Sequence, residues 1–155
     1  MAHKKNHQPH RITNRRARFD YTLGDSLIVG LQLSGPETKA LRLGHGQLRG
    51  AYITVKDNEL WLINSSINGG AGLPISESEQ TRARKLLAKR REIDQLTLAK
   101  QQGNTIIPLE LLTGGRYIKL RLAIGRGKKH YDKRQTIKER EEQRRMSAAL
   151  KQTTR

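Results

Sequence analysis

Short segments in which apolar and polar residues alternate predict β-strands in the first half of the chain. Residues 27–33 form an aliphatic, β-branched run of the kind that fills a buried strand. Residues 51–56 and 59–64 alternate on either side of Asp57 and Asn58, a pair that favours a tight turn. We therefore predict one buried strand followed by a β-hairpin.

The clearest alternation lies in the second half of the chain. Residues 105–111 and 116–124 predict two strands joined at Gly114 and Gly115. Because side chains along a strand point alternately to its two faces, one face of the second strand is aliphatic and the other is cationic. The aliphatic face carries Ile118, Leu120, Leu122 and Ile124, and the opposite face carries Tyr117, Lys119 and Arg121.

Two further segments have helical patterns. Residues 37–43 predict a short helix that ends at Gly44. Ser76 and Glu79 have the spacing of a capping box, which predicts a long helix from there to Gln101. One face of this helix is apolar, with Ala83, Leu86, Leu87, Ile93 and Leu96. The other face is basic, with Arg82, Arg84, Lys85, Lys89 and Arg91.

The two ends of the chain differ from its middle. Residues 1–18 are basic and contain no acid, and only Ile12 among them is suited to a hydrophobic core. We therefore predict a flexible basic arm. Residues 19–127 predict a body that is mainly β with helices, an OB-fold-like antiparallel β-barrel with flanking helices. Residues 128–155 have good helix propensity but no apolar stripe, which predicts a disordered basic tail that becomes helical when it binds a partner.

Charge narrows the class of partner. The 155 residues include 31 Lys and Arg against 14 Asp and Glu, for a formal net charge of +17. Such an excess fits a polyanion, either nucleic acid or an anionic membrane, and we favour nucleic acid. No apolar run is long enough for a transmembrane helix, the first residues lack an apolar signal segment, and the lack of cysteine favours the cytoplasm.

The low aromatic content, 4% of the chain, bears on the kind of nucleic acid. Single-strand binders use several stacking rings, so we favour a folded RNA that is recognised by its shape and phosphates. Trp61 points opposite to Leu60 and Leu62. This orientation is compatible with stacking on RNA and with burial under the long helix.

The sequence gives little support for catalysis or for metal binding. His3, His7 and His10 fall near one helical face, but an arm without acidic ligands favours solvated histidines. The acids lack the pairing that a nuclease needs, and those at 139–142 alternate with arginines at helical spacing. We therefore predict no catalytic residues, no metal site and no cofactor.

Four segments resemble, in order, the motifs of the SsrA-binding protein (SmpB) family. They are Asn-Arg-Arg-Ala-Arg-Phe-Asp-Tyr at 14–21, Gly-Pro-Glu-Thr-Lys-Ala-Leu-Arg at 35–42, Arg-Ala-Arg-Lys-Leu-Leu at 82–87 with Arg-Glu-Ile at 91–93, and Gly-Lys-Lys-His-Tyr-Asp-Lys-Arg at 127–134 with Ile-Lys-Glu-Arg at 137–140. The last segment is the most specific, and together they cover nearly the whole chain.

The resemblance implies a function and its partners. The body is expected to bind the tRNA-like domain of transfer-messenger RNA (tmRNA, or SsrA RNA) and to stand in for its missing anticodon arm. The tail is expected to lie in the empty mRNA channel of a stalled ribosome during trans-translation. A protein of this kind is a monomer alone and not an enzyme.

The resemblance also implies site residues. The tmRNA-binding positions are Asn14, Arg15, Arg16, Arg18, Tyr21, Glu37, Lys39, Arg42, Leu87, Lys119 and Arg121. The positions that face the ribosome near the decoding centre are Arg126, Gly127, Lys128, Lys129, Tyr131, Asp132, Lys133 and Arg134. Two of these residues have a second interpretation: Glu37 suits a helix cap, and Leu87 suits core packing.

Three residues depart from the family pattern. Phe19 replaces a usual His, Ile28 an acid, and Pro36 a Thr, Ser or Trp. The first two imply a changed RNA interface or a compensating change in the RNA. The best alternative function is that of a structural ribosomal protein, which shares the basic body and tail; a nuclease comes third.

Overall fold

The structure, a computed structural model, describes residues 10–153, so His3 and His7 lie outside the described residues. The strands are β1 (Ile12–Thr13), β2 (Tyr21–Leu31), β3 (Gly46–Gln47), β4 (Tyr52–Lys56), β5 (Glu59–Ile63), β6 (Ser66–Ile67), β7 (Arg84–Leu87), β8 (Thr105–Leu112) and β9 (Lys119–Gly127). The helices are α1 (Ala17–Asp20), α2 (Gly35–Arg42), α3 (Glu77–Gln80), α4 (Arg90–Gln101) and α5 (His130–Thr153).

The strands form a closed antiparallel ring. Its order is β8-β4-β5-β7-β2-β9, and β9 pairs back onto β8. Strand β1 adds to β8, while β3 and β6 form a separate pair. The prediction of a mainly β fold with helices is therefore confirmed.

The core lies inside this ring and under the helices. Alternate residues of β5 and β9 point inward, and α2 and α4 add Leu41 and Leu96 to the same cluster. Strand β9 follows its predicted alternation. Leu120 and Leu122 are buried, as is Ile118 just before the strand, whereas Lys119 is exposed.

Two turn predictions are confirmed by the backbone. Asp57 and Asn58 both have positive φ, 52° and 59°, which is the geometry of a type I′ turn between β4 and β5. Helix α2 ends at Arg42, and Gly44 follows with φ of 85°, a conformation that glycine adopts without steric cost.

The prediction of one long helix over 76–101 is wrong. The capping box at Ser76 is present, but α3 ends at Gln80, and residues 84–87 form β7. This segment pairs with β5 on one side and with β2 on the other, so its backbone groups are satisfied by the sheet. Tertiary pairing thus overrides the helix propensity of Arg, Lys and Leu.

The prediction of a disordered tail is also wrong, because residues 130–153 form α5. Asp132 accepts a hydrogen bond from the Lys129 N–H at 3.4 Å, near the start of the helix. Gln135 pairs with Glu139 one turn later, at 3.2 Å. Helix-favouring residues and local pairs of this kind support a helix without a buried face.

The packed body begins before residue 19, the predicted boundary. Ile12 and Thr13 pair with β8, and Ile12 is buried in the core. Asn14 donates its backbone N–H to the Leu109 carbonyl at 2.7 Å. Of the arm predicted over 1–18, the part from residue 12 onward is therefore attached to the sheet.

Candidate nucleic-acid interface

Three neighbouring strands present one row of residues on the outer face of the ring. In this row Leu87 of β7 pairs with Gly30 of β2, and Gly30 pairs with Lys119 of β9. Leu87 is 53% exposed, so its interpretation as a core residue is wrong. Lys119 is exposed as well, as its place in the alternation predicts.

Gly30 keeps the centre of this row flat. A Cβ atom at Gly30 would lie 3.1 Å from the Cβ and 3.6 Å from the Cδ1 of Leu87. Leu87 therefore leans over the position that a side chain at residue 30 would occupy. The next row on the same face pairs Ile28, 47% exposed, with Arg121.

A groove of about 790 Å³ continues this face towards α1. Its lining combines apolar side chains with a cationic rim. The apolar residues are Leu23, Ile28, Leu109 and Ala123, and the rim carries Arg18, Arg121 and Lys128, with Tyr21 beside them. Flat apolar surface next to guanidinium and ammonium groups suits the bases and phosphates of a nucleic acid.

Arg121 is held by an acid that the sequence patterns did not reveal. Glu110 is buried and forms an ion pair with Arg121 and another, at 3.0 Å, with Arg11. Glu110 therefore fixes the position of the Arg121 guanidinium and partly balances its charge, and a ligand would meet the guanidinium in this state. Glu110 lies opposite Arg121 in the β8–β9 register, a pairing that becomes visible only once the sheet is known.

Helix α2 places two of the predicted cations at the surface. Lys39 and Arg42 are both exposed. Arg42 donates hydrogen bonds to the carbonyls of Gly115 and Arg116, at 3.2 and 2.9 Å. Arg42 thereby ties the loop before Lys119 to the helix.

Glu37, in contrast, does not lie at the RNA-accessible surface. It is 1% exposed and accepts the Ser34 backbone N–H at 3.0 Å, so its interpretation as a helix cap is confirmed. Arg82 donates two hydrogen bonds to its carboxylate, at 2.8 and 2.7 Å, and Arg84 donates one at 3.2 Å. Burial would raise the pKa of Glu37, but the bonds from Arg82 and Ser34 and the charge of Arg84 outweigh it and lower the pKa.

Arg84 is the centre of this buried cluster and has no exposed surface. Besides Glu37, its guanidinium donates to the Ser65 hydroxyl at 3.0 Å and to the carbonyls of Glu79 and Gln80 at 2.9 and 3.0 Å. Burial lowers the pKa of Arg84, against the opposing charge of Glu37. The cluster joins α2, α3 and β7, and contradicts the prediction that Arg84 lies on the basic face of a long helix.

The basic residues of the opening motif face two directions. Arg18 lines the sheet-face groove, whereas Arg16 lines two other grooves, next to β1 and to the loop before β4. Asn14 is half-buried and donates through its side chain to the Pro108 carbonyl at 3.0 Å. Arg15 is exposed between the two sides.

The start of α5 is docked against α1. The Lys128 backbone N–H donates to the Asp20 carbonyl at 2.8 Å, and Lys133 forms an ion pair with the Asp20 side chain at 3.4 Å. Burial would raise the pKa of Asp20, but Arg16 and Lys133 outweigh it and lower the pKa. Two guanidinium groups lie over the Phe19 ring, that of Arg16 at 5.6 Å and that of Arg140 of α5 at 5.7 Å from the ring centroid.

The other predicted tail residues remain accessible. Exposed side chains here include those of Arg126, Lys129, Tyr131 and Arg134, while Asp132 and Lys133 are half-buried. Gly127 is the last residue of β9 and pairs with Tyr21, and Arg126 donates to the Asn104 side chain at 2.9 Å. The cationic segment thus leads directly from the sheet face into α5.

Other candidate features can be placed as well. Trp61 is half-buried, in register with Thr54 and Lys85, on the opposite face of β5 from the buried Leu60 and Leu62. Within residues 10–153, no group of three or more His, Cys, Asp or Glu could hold a metal ion. No helix in that range is long and apolar enough to cross a membrane.

A sheet face with an apolar centre and a cationic rim, continued by a basic helix, is the kind of surface that nucleic-acid-binding proteins present. The family model described as SmpB protein matches residues 11–152. An SsrA-binding protein of a Synechococcus species is 43% identical over 143 residues, 91% of this chain and 93% of the relative. The chain belongs to the SmpB family.

Other comparisons agree with this assignment. An SsrA-binding protein of Oenococcus oeni is 41% identical over 157 residues, covering 97% of this chain and 98% of its own length. A solved chain from work on tmRNA–SmpB at the center of the bacterial ribosome superimposes with a TM-score of 0.64 and 34% identity. That match covers 77% of this chain and 85% of the solved one.

Proposed function

We propose that this protein binds the tRNA-like domain of tmRNA and carries it to stalled ribosomes for trans-translation. The observation that carries the proposal is the outer row formed by Leu87, Gly30 and Lys119. It places an exposed leucine and an exposed lysine on the two sides of Gly30 on one face of the sheet. Membership in a family whose relatives are called SsrA-binding proteins supports the choice of RNA.

The sheet face divides its work between two kinds of contact. Leu87 and Ile28 offer apolar surface to ribose and base, while Lys119, Arg121 and Arg18 meet phosphates. Phosphate contacts dominate affinity and weaken with salt, whereas the apolar contacts depend on the shape of the RNA. We infer that shape recognition distinguishes the tRNA-like domain from other RNAs.

Helix α5 is the part that we assign to the ribosome. Of the two exposed cations near its start, Lys129 precedes the helix and Arg134 lies in its first turns, and α5 buries no residue against the body. A long, basic helix with free faces suits the phosphate-lined mRNA channel. Lys128 and Lys133 connect this helix to α1 through Asp20 and set the direction in which it leaves the body.

The same reasoning extends to the finer fold and setting. We propose that the closed ring is an OB-like β-barrel, because six antiparallel strands close it and helices cap it. We also propose that residues 19–127 act as the RNA-binding body and 128–155 as the ribosome-binding tail, with 1–18 as a basic arm whose part from Ile12 onward is fixed to the sheet. The protein acts in the cytoplasm, as a monomer before it meets its RNA and as a binding protein and not an enzyme.

A truncation tests this division of labour. We expect a chain that ends at Arg134 to bind the tRNA-like domain with unchanged affinity and to fail in a reconstituted trans-translation assay. The reason is that the sheet face remains whole while most of α5 is lost. Full rescue by the truncated protein would contradict the assignment of α5, and lost RNA affinity would show that the tail takes part in tmRNA binding.

A further inference from the structure

A β-bulge in β8 turns Glu110 to the outer face of the ring. Pro108 pairs with Leu122 of β9, and two residues further along β8, Glu110 pairs with Arg121. Strand β8 therefore has one residue more than β9 between these two pairs. Because opposed residues of an antiparallel pair lie on the same face, an unshifted register would place Glu110 opposite the fully buried Leu120. The bulge instead places its carboxylate beside the Arg121 guanidinium.

Asn14 holds the backbone of β8 at this bulge. Its backbone N–H donates to the Leu109 carbonyl at 2.7 Å, and its side-chain amide donates to the Pro108 carbonyl at 3.0 Å. These two bonds satisfy both carbonyls and fix the shape of the strand just before Glu110. The direction of the Glu110 side chain is therefore set by the backbone on both sides of the bulge.

The Glu110 carboxylate is shared between two arginines. Its Oε2 accepts a hydrogen bond from Arg11 Nε at 3.0 Å, and its Oε1 accepts one from Arg121. The Glu110 side chain is only 7% exposed, whereas those of Arg11 and Arg121 are 75% and 38% exposed. One buried carboxylate thus fixes two cations that both keep surface for a ligand.

These cations line a pocket at the edge of the sheet face. The pocket has a volume of about 280 Å³ and shares Arg18, Leu109 and Arg121 with the sheet-face groove. Its four arginines are Arg11, Arg15, Arg18 and Arg121, and the acid among its described lining residues is Glu110. Guanidinium groups bind phosphates in two-point hydrogen bonds, which require a fixed orientation of the planar group. A carboxylate that holds arginines at the rim therefore bears on which phosphates they can meet.

We propose that Glu110 is a positioning residue of the RNA site and raises its selectivity. Glu110 is too buried to meet RNA and acts through Arg121 and Arg11. Its charge weakens the attraction of this region for phosphates in general, and the fixed arginines favour an RNA whose phosphates lie where they point. The inference rests on the proposed function, because it assigns the sheet face to the tRNA-like domain.

The test titrates the full-length Glu110→Gln protein with the tRNA-like domain and, separately, with an elongator tRNA. We expect binding to the tRNA-like domain to weaken about fivefold, as the loss of one well-placed hydrogen bond does, although the protein gains positive charge. Binding to the elongator tRNA should tighten slightly, because the carboxylate no longer opposes its phosphates. The preference for the tRNA-like domain therefore falls.

A second variant separates position from charge. Glu110→Asp keeps the charge but is one methylene shorter, so its carboxylate cannot hold both arginines in their present places. We expect weaker binding to the tRNA-like domain and unchanged binding to the elongator tRNA. Asp94→Asn, which removes an acid from the exposed ion pair with Arg90 on α4, is the charge-matched control for Glu110→Gln and should leave the preference unchanged.

A double-mutant cycle identifies the group through which Glu110 acts. In an Arg121→Gln protein, Glu110→Gln should weaken binding to the tRNA-like domain much less than it does in the unaltered protein, because the main positioned group is gone. An equal loss in both backgrounds would overturn the proposal.

Two further results would overturn it. Tighter binding of both RNAs by the Glu110→Gln protein would mean that the carboxylate acts by its charge alone. Unchanged binding of both RNAs, even with lower stability in urea unfolding, would mean that Glu110 serves only the fold. The preference of the unaltered protein is measured in the same series, so failure of the proposed function is read from that protein alone.

Discussion

The charged residues buried under α2 and those exposed on the sheet face are of the same types but have different roles. Glu37 and Arg84 are sealed from solvent, and their hydrogen-bonding groups are engaged within the protein. Lys119 is exposed and its neighbour across Gly30 is an apolar leucine. The first set holds elements of the body together, and the second set is available to RNA.

The comparison shows that a basic residue in a family motif is not by itself an RNA contact. Arg82 and Arg84 lie in the same short motif as Leu87, yet Arg84 faces the core and Leu87 faces solvent. Strand alternation separates them, since residues 84 and 87 point to opposite faces. Charge alone would assign the roles the other way round.

The largest effect that separates the two sets should come from Arg84→Ala. Removing Arg84 takes away one partner of the Glu37 carboxylate and the side-chain donor of the Glu79 and Gln80 carbonyls, so we expect a loss of about 3–5 kcal/mol in the free energy of unfolding. Urea unfolding measures it. Arg84→Lys should also destabilise the protein, because an ammonium group cannot reach Ser65, Glu79 and Gln80 together.

Arg91, an exposed arginine of α4, provides the control for that prediction. Arg91→Ala is expected to change the free energy of unfolding by no more than about 0.5 kcal/mol, as surface substitutions usually do. Similar stability losses in the Arg84→Ala and Arg91→Ala proteins would mean that the buried cluster does not hold the fold together.

A smaller effect is expected at the sheet face, and it should appear in binding and not in stability. Lys119→Gln should weaken binding to the tRNA-like domain several-fold and lower the salt slope by about 1, because one phosphate contact is lost. Leu87→Ser should weaken binding with an unchanged slope. Fluorescence titration at several salt concentrations gives both quantities. A stability loss as large as that of Arg84→Ala would place these residues in the core instead.

The smallest effect concerns how the free energy of unfolding decreases as the pH falls. The pKa of Glu37 is lowered from its ordinary value of 4.5, so its contribution is complete above that value and is lost as the pH falls through the lower, folded pKa. One group changes the free energy of unfolding by at most about 1.4 kcal/mol per pH unit. Glu37→Gln should lower stability at neutral pH, because Arg84 then lacks its counter-charge, and in urea unfolding it should make stability depend less on pH between neutral and acid pH. An unchanged pH dependence of the free energy of unfolding would show that other carboxyl groups determine it.

Local patterns were sufficient where neighbours in sequence decide the structure. The Asp57–Asn58 turn, the end of α2 before Gly44 and the alternation of β9 follow from backbone preferences and side-chain period. Local patterns could not predict that residues 84–87 form a strand, because this strand depends on pairing with β5 and β2, which are distant in sequence.

The candidate site was predictable to a similar extent. Family motifs pointed to Leu87 and Lys119, and the structure places both on one face. The same motifs pointed to Glu37, which the structure buries. One feature had no local signal: the Glu110 partner of Arg121, which depends on β8–β9 register.

The most direct test of the central claim compares two RNAs of similar size. Binding of the purified protein to the tRNA-like domain of its own tmRNA is measured near physiological salt, with an elongator tRNA alongside. We expect a clear preference for the tRNA-like domain, which Leu87→Ser reduces. Equal and equally salt-sensitive binding to both RNAs would contradict the account, because only non-specific phosphate attraction would remain, and a structural ribosomal protein would then be the better interpretation.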